Sequence, residues 1–272
     1  SAASDVYKRQ KLGVVKKVQD IVEADGLKCT TYLGVVPNPT VDVVNESTKC
    51  YKESGATSII ALGGGSSMDV AKATGVLATY GGKITDYEGL YKVPGPIVPI
   101  IAIPTTAGTG SEVTASAVVT DEERNYKMSV ISYEMLPKYA VLDPQLIMTA
   151  PASIAASCGV DALIHALEAY VSNFASPFTD AMAEKAMELI GANIRRFVAN
   201  RQDEEAACAM MTGSTFAGMA FAWAKLGNVH AMSHPVSAYF HVPHGVANAV
   251  LLPTVIEYNA PVSYTHLRAH ET

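Results

Sequence analysis

Hydrophobic positions along this chain change their spacing once, and that change divides it. From Gly13 to Asp25 apolar residues recur at helical intervals (Val14, Val15, Val18, Ile21, Val22), and Gly26 ends the helix. Thr30 to Val36 predicts a short strand, and Pro37-Asn38-Pro39-Thr40 predicts a rigid turn whose Thr40 can cap a helix over Val41 to Ser54. Thr57 to Leu62 and Ile97 to Ile103 are apolar runs without alternation, as expected of parallel strands buried on both faces. Ser116 to Thr120 and Lys127 to Ser132 do alternate; joined by the charged turn Asp121 to Asn125, they predict a hairpin added to that sheet. Tyr139 to Pro144 is the last expected strand.

Past about Pro151 the period is helical throughout, over Ala152–Val171, Thr179–Asn200, Glu204–Lys225, His230–Phe240 and Gly245–Tyr258. The pattern therefore predicts an α/β domain over residues 11–150 and an all-α domain over residues 151–260. The two ends fit neither pattern. Residues 1–10 and 261–272 resemble translated sequencing-adapter sequence and are taken as extraneous, so His266 and His270 receive no role.

Composition narrows the partners. A net charge of −6 with no basic run lacks the footprint that phosphate backbones or anionic membranes require, so nucleic acid is not an expected partner. The longest apolar stretches, such as Pro96 to Ile103, are too short to span a bilayer, which predicts a soluble protein with no membrane partner. Cys29, Cys50, Cys158 and Cys208 form no Cys-x-x-Cys pair, so a reducing cytoplasm fits best.

The candidate chemistry lies in three places. Gly63-Gly64-Gly65-Ser66 follows the first apolar run; its glycines let backbone amides approach a ligand, and Ser66 with Asp69 three residues on predicts a capping arrangement. A helix start at the carboxyl end of a parallel strand suits a pyrophosphate. Pro104-Thr105-Thr106-Ala107-Gly108-Thr109-Gly110 is a second small-residue loop where a strand ends, and the two loops can clasp one dinucleotide, to which Lys127 can offer a cation. Farther on, Asp161 and His165 stand four apart on one helix face, and His230, His234 and His244 fall within fifteen residues. A carboxylate with three of these imidazoles suits iron(II) or zinc and suits magnesium or calcium poorly. His-x-x-x-His without a Glu, and the lack of a G-x-S-x-G elbow, argue against peptide or ester hydrolysis.

In order, Asn38 with its flanking prolines, Gly-Gly-Gly-Ser-Ser-Met-Asp, Pro-Thr-Thr-Ala-Gly-Thr-Gly-Ser-Glu, Gly-Val-Asp-Ala-Leu-Ile-His-Ala, His-Ala-Met-Ser-His-Pro and Pro-His-Gly-Val-Ala-Asn-Ala resemble the group III, iron-dependent alcohol dehydrogenases, within them most the lactaldehyde reductase branch. The resemblance runs from about Lys11 to Ala260 and implies a dehydroquinate synthase-like fold, truncated at both ends. It implies Asp161, His165, His230 and His244 as ligands of Fe2+ (or Zn2+), and His234 as a catalytic residue beside the nicotinamide. It also lays Asn38, Gly65, Ser66, Thr105, Thr106, Thr109 and Lys127 along a bound NAD, or NADP, since the strand carrying the residue that chooses between them is missing. The implied reaction is hydride transfer between a primary alcohol or diol, or the matching aldehyde, and the nicotinamide, in a cytoplasmic homodimer. A same-fold lyase, a glycerol dehydrogenase and a non-catalytic fragment remain alternatives.

Overall fold

The structure, a computed structural model, describes residues 13–240 and 242–267, with the side chains of residues 238 and 261–267 outside the description. Residues 1–10, His241 and His270 therefore lie outside the described residues, as does the His266 side chain. The described chain forms two compact units, one from residues 13–105 and 111–141, the other from residues 106–110 and 142–267.

The first unit begins with helices α1 (Val14–Ala24) and α2 (Val41–Ser54), the latter capped by Thr40, whose Oγ1 accepts the Val43 N–H. Then come β1 (Ile59–Gly63), α3 (Gly65–Tyr80), β2 (Gly89–Leu90), β3 (Ile100–Pro104), β4 (Ser116–Asp121), β5 (Tyr126–Ile131) and β6 (Tyr139–Ala140). β1, β3 and β6 form a parallel sheet in the order β1-β3-β6, with Ile59 opposite Ile100 and Leu62 opposite Ile103. β2, β5 and β4 form a second sheet. Met68, Ala73 and Val76 of α3, Ala61 and Ala102 of the parallel sheet, and Ala117, Val119, Met128 and Val130 of the hairpin share one core.

Three expectations change here. Residues 30–36 form no strand, because extended backbone becomes a strand only through a ladder partner, and none pairs with this segment among the described residues. The hairpin β4–β5 forms, with Ser116 opposite Ile131, but it builds its own sheet with β2 rather than extending the parallel one. Its alternating face lies on α3, so its burial needs no bond to β1 or β3. The last strand is cut to Tyr139–Ala140.

The second unit opens with the short α4 (Pro144–Met148) and continues with α5 (Ala152–Tyr170), α6 (Pro177–Ala199), α7 (Glu204–Ala224), α8 (Asn228–Phe240) and α9 (His244–Leu267). Ser176 caps α6 and Asp203 caps α7, each accepting an N–H of the first turn. Helices α5, α6 and α7 meet along alanines, among them Ala162, Ala166, Ala183, Ala186, Ala217 and Ala220, all at 0% exposure. Small side chains let the helix axes approach closely and leave little room for repacking. Ile164 of α5, Val229 of α8 and Val255 of α9 form a separate cluster that holds the last two helices to α5. Helix α5 is the one described helix long and apolar enough to cross a membrane, and half of the qualifying stretch is buried inside this unit.

A buried cation ties the first unit together. Lys72 of α3 is fully buried, and its Nζ donates to Ser111 Oγ (3.1 Å), Thr114 Oγ1 (3.3 Å) and the Ser116 carbonyl (2.9 Å). Burial pulls the Lys72 amine down to about 8 against the opposing fields of Asp69 and Glu112. Removing this side chain leaves a buried carbonyl and two hydroxyls to find new partners. Lys72→Ala is therefore expected to lower the unfolding free energy by about 3 kcal/mol. A urea titration checks this; a loss below about 1 kcal/mol would mean that water replaces the amine at no cost.

Candidate metal centre and nucleotide loops

Helix α5 presents Asp161, His165 and Glu168 at intervals of four and three residues, which places all three on one face. The separate apolar cluster on the same helix brings up α8, carrying His230, and α9, which begins at His244. Asp161 Oδ1 then lies 3.5 Å from His230 Nε2, 3.7 Å from His244 Nε2 and 4.0 Å from His165 Nε2. The His165 ring stacks on His230 at 4.4 Å between centroids and on Phe221 of α7 at 4.4 Å. Asp161, His165 and His230 are 5% exposed or less, whereas His244 is partly open to solvent.

Two hydrogen bonds set which ring nitrogen faces the carboxylate. His165 Nδ1 donates to the Gly108 carbonyl at 3.1 Å, and His230 Nδ1 donates to Glu168 Oε2 at 2.5 Å. A carbonyl or an ionised carboxylate can only accept, so each ring carries a proton on Nδ1 and turns Nε2 toward Asp161. Asn248, one turn into α9 from His244, donates from Nδ2 to Asp161 Oδ1 at 2.7 Å and stands 3.2 Å from His230 Nε2 and 3.4 Å from His244 Nε2. Its Oδ1 is buried and has no hydrogen-bond partner among the described residues.

The electrostatics follow from this crowding. Burial works to raise the Asp161 carboxyl, but His165, His230 and His244 outweigh it and hold the group well below the usual carboxylate range. Burial pulls His165 down to about 4 in spite of Asp161. Burial also works to lower His230, yet Asp161 and Glu168 reverse it and carry that ring up to about 9. The two carboxylates on either side of His230 therefore favour its charged form.

This donor set fits a divalent transition metal. A tetrahedral ion with donors at about 2.0–2.1 Å has donor-to-donor edges of roughly 3.4 Å, close to the separations from Asp161 Oδ1. The oxygen and the Nε2 atoms of His230 and His244 all lie within 4.8 Å of one another, and His165 adjoins them. His234 stands apart: it is exposed on α8, its ring centroid 5.1 Å from that of His244 and 6.1 Å from that of His230.

Sequence reasoning missed three groups that hold this arrangement. Glu168 lies seven residues past Asp161 and Asn248 lies four past His244, spacings that put each on the face of a proposed ligand. The Gly108 carbonyl carries no side-chain signal and was not legible.

The nucleotide candidates are arranged as follows. Gly63 ends β1, Gly64 is the N-cap of α3, and Gly65 and Ser66 open that helix with no side chain capping it. The expected cap from Ser66 and Asp69 is thus not formed. Asp69 turns instead into the unit, where Oδ1 accepts from Ser111 Oγ at 3.2 Å, and burial pushes its carboxyl up to about 6 against the pull of Lys72. The Thr105 N–H donates to the Gly63 carbonyl at 2.9 Å, which stitches the ends of β1 and β3 together. Asn38, in the left-handed region at φ 51°, accepts from Lys127 Nζ at 2.8 Å, so these two candidates meet although 89 residues separate them. In the helical unit, Thr106 and Thr109 are partly buried on either side of Gly108.

Comparison with known proteins bears on this geometry. Residues 5–144 match the family model of iron-containing alcohol dehydrogenases, and residues 155–270 match the C-terminal model of the Fe-containing alcohol dehydrogenase family. Alcohol dehydrogenase 4 of Schizosaccharomyces pombe is 46% identical over 250 residues, 92% of this chain and 59% of the relative. Lactaldehyde reductase of Escherichia coli K12 is 45% identical over 250 residues, 91% of this chain and 65% of the relative. Among solved structures, 1,3-propanediol oxidoreductase superposes with a TM-score of 0.89 at 41% identity, covering 91% of this chain and 65% of that one. Sulfoacetaldehyde reductase of Bifidobacterium kashiwanohense, solved with NAD+, gives 0.84 at 34% identity, covering 92% and 67%. The chain spans 59% and 65% of the length of the two curated relatives.

One close approach positions His244. A Cβ on Gly245 would stand 2.1 Å from the Ser157 carbonyl oxygen of α5, so the start of α9 packs backbone against backbone. Gly245→Ala is expected to cost about 1–3 kcal/mol of stability through overpacking, read as a lowered midpoint in urea. An unchanged midpoint would show that α9 can slide off α5.

Proposed function

The chain belongs to the iron-containing alcohol dehydrogenase family, and from that premise we propose that it serves an oxidoreductase that moves a hydride between a nicotinamide cofactor and a primary alcohol or diol, or the matching aldehyde. The observation that carries the reading is one buried carboxylate oxygen faced by three imidazole Nε2 atoms at 3.5–4.0 Å. Asp161, His165, His230 and His244 would hold a divalent ion, iron(II) or zinc. Such an ion, when bound, supplies a Lewis acid that polarises an alcohol or carbonyl oxygen and eases loss of the hydroxyl proton.

The remaining work falls to the chain itself. The Gly108 carbonyl and Glu168 keep two ligand rings in the tautomer that offers Nε2. His234, exposed beside His244, is the residue for relaying a proton to solvent. Gly63, Gly64, Gly65 and Ser66 at the start of α3 would receive the pyrophosphate of NAD, with NADP as the alternative cofactor. Thr105 would add a hydroxyl there, and Asn38 paired to Lys127 an amide and a cation; Thr106 and Thr109 are the cofactor candidates of the helical unit. Asp69, one turn into α3 and held by Ser111, completes this proposed cofactor set. Lactaldehyde reductase among the relatives and 1,3-propanediol oxidoreductase among the solved structures support a small alcohol or diol as substrate.

The 272-residue protein is expected to carry one equivalent of iron or zinc and to reduce NAD+ steadily with 1,2-propanediol. His230→Ala and Asp161→Asn should each lose the metal and at least about 100-fold in activity, since each removes one donor and its charge balance. Metal content by plasma emission and NADH absorbance check this. Unchanged metal in His230→Ala would sink the site, and NAD bound without net NADH formation would point to a lyase.

A further inference from the structure

Glu168 has no part in the metal set or the nucleotide loops, yet it is a carboxylate only 4% exposed in an apolar helix interface. Such a group is expensive to bury unless every lone pair is used. Its two oxygens are divided between two kinds of donor. Oε2 takes the His230 Nδ1 proton at 2.5 Å, and Oε1 takes the Val229 N–H at 2.6 Å. Glu168 therefore grips both the ring of His230 and the first turn of the helix that carries it. The residue before that helix, Gly227, leaves the room this requires, since a Cβ there would stand 2.9 Å from Oε1 and 3.3 Å from Cδ.

We propose that Glu168, seated against Gly227, is the positioning residue that fixes His230 for metal binding, and that it determines how tightly the site holds a divalent ion. The inference rests on the metal-site reading above. An imidazole held at Nδ1 by a carboxylate cannot turn its ring, so Nε2 stays the nitrogen that faces the Asp161 oxygen and is the one that would bind an ion there. The same grip sets the height of α8 against α5, which fixes where the ring stands as well as how it is turned. Gly227 thus influences metal affinity without touching a ligand.

The test uses Zn2+ as probe on the whole chain, with affinity measured by competition against a chromophoric chelator for wild type, Glu168→Ala, Glu168→Gln, Gly227→Ala and His230→Ala. Glu168→Ala is expected to weaken Zn2+ binding about 10- to 100-fold. Glu168→Gln, nearly the same shape, has one accepting oxygen for two donors and should fall between Glu168→Ala and wild type. Gly227→Ala should weaken binding in the same direction by a smaller factor. A purely structural role would not move a second readout, the downfield proton resonance of His230 Nδ1 in the metal-free protein, expected in wild type and in Gly227→Ala and absent in Glu168→Gln if the amide turns its NH2 to the ring. If Glu168→Ala fails to fold, Glu168→Gln and Gly227→Ala carry the test. Affinities of all folded Glu168 and Gly227 variants within twofold of wild type, while His230→Ala loses Zn2+, would overturn the inference and leave the metal site standing. Wild type failing to bind Zn2+ would overturn both.

Discussion

A carboxylate taken out of water is the constraint on which the helical unit depends. Asp161 lies on α5 at 5% exposure, and an isolated charge there would cost several kcal/mol. The protein answers with imidazoles from three helices and an amide from α9, all converging on one oxygen. That convergence requires α8 and α9 to sit at one height on α5. The cluster of Ile164, Val229 and Val255 supplies the adhesion, and Gly245 allows the backbone approach. The alanine seam beneath α5 makes the platform stiff, because small side chains meeting at close range have few other ways to pack.

Burial also explains why the four proposed ligands differ in character. His165 is shut in between His230 and Phe221 and prefers to be neutral, while His230 is flanked by two carboxylates and prefers to be charged. His244 reaches the same oxygen from the partly open side. A divalent ion in this place would take over the neutralising role of the His230 proton, which makes the charge balance of the site a property of its occupant. The first unit solves a related problem differently: Lys72 and Asp69 are satisfied by hydroxyls and a carbonyl and so brace the segment that follows the second loop.

Much of the fold could be read from spacing. The helices from Ala152 onward, the hairpin, the Thr40 cap and the two apolar strands stand close to where periodicity and turn chemistry put them. The failures are physical ones. Residues 30–36 have strand-like composition but no ladder partner among the described residues, and Ser66 has capping chemistry but lies inside a helix that Gly64 begins. Sheet membership was also hidden, since alternation in β4 and β5 states that one face is buried but not what buries it.

For the site, Asp161 and His165 on one face of one helix, and His230 and His244 near each other in the chain, were available from the sequence, because helical spacing alone determines which residues share a face. The roles of Glu168, Asn248 and the Gly108 carbonyl were decided only by tertiary structure. A helix face says where a side chain points, whereas the proton on a ring nitrogen depends on what another segment, 57 or 62 residues away, puts against it.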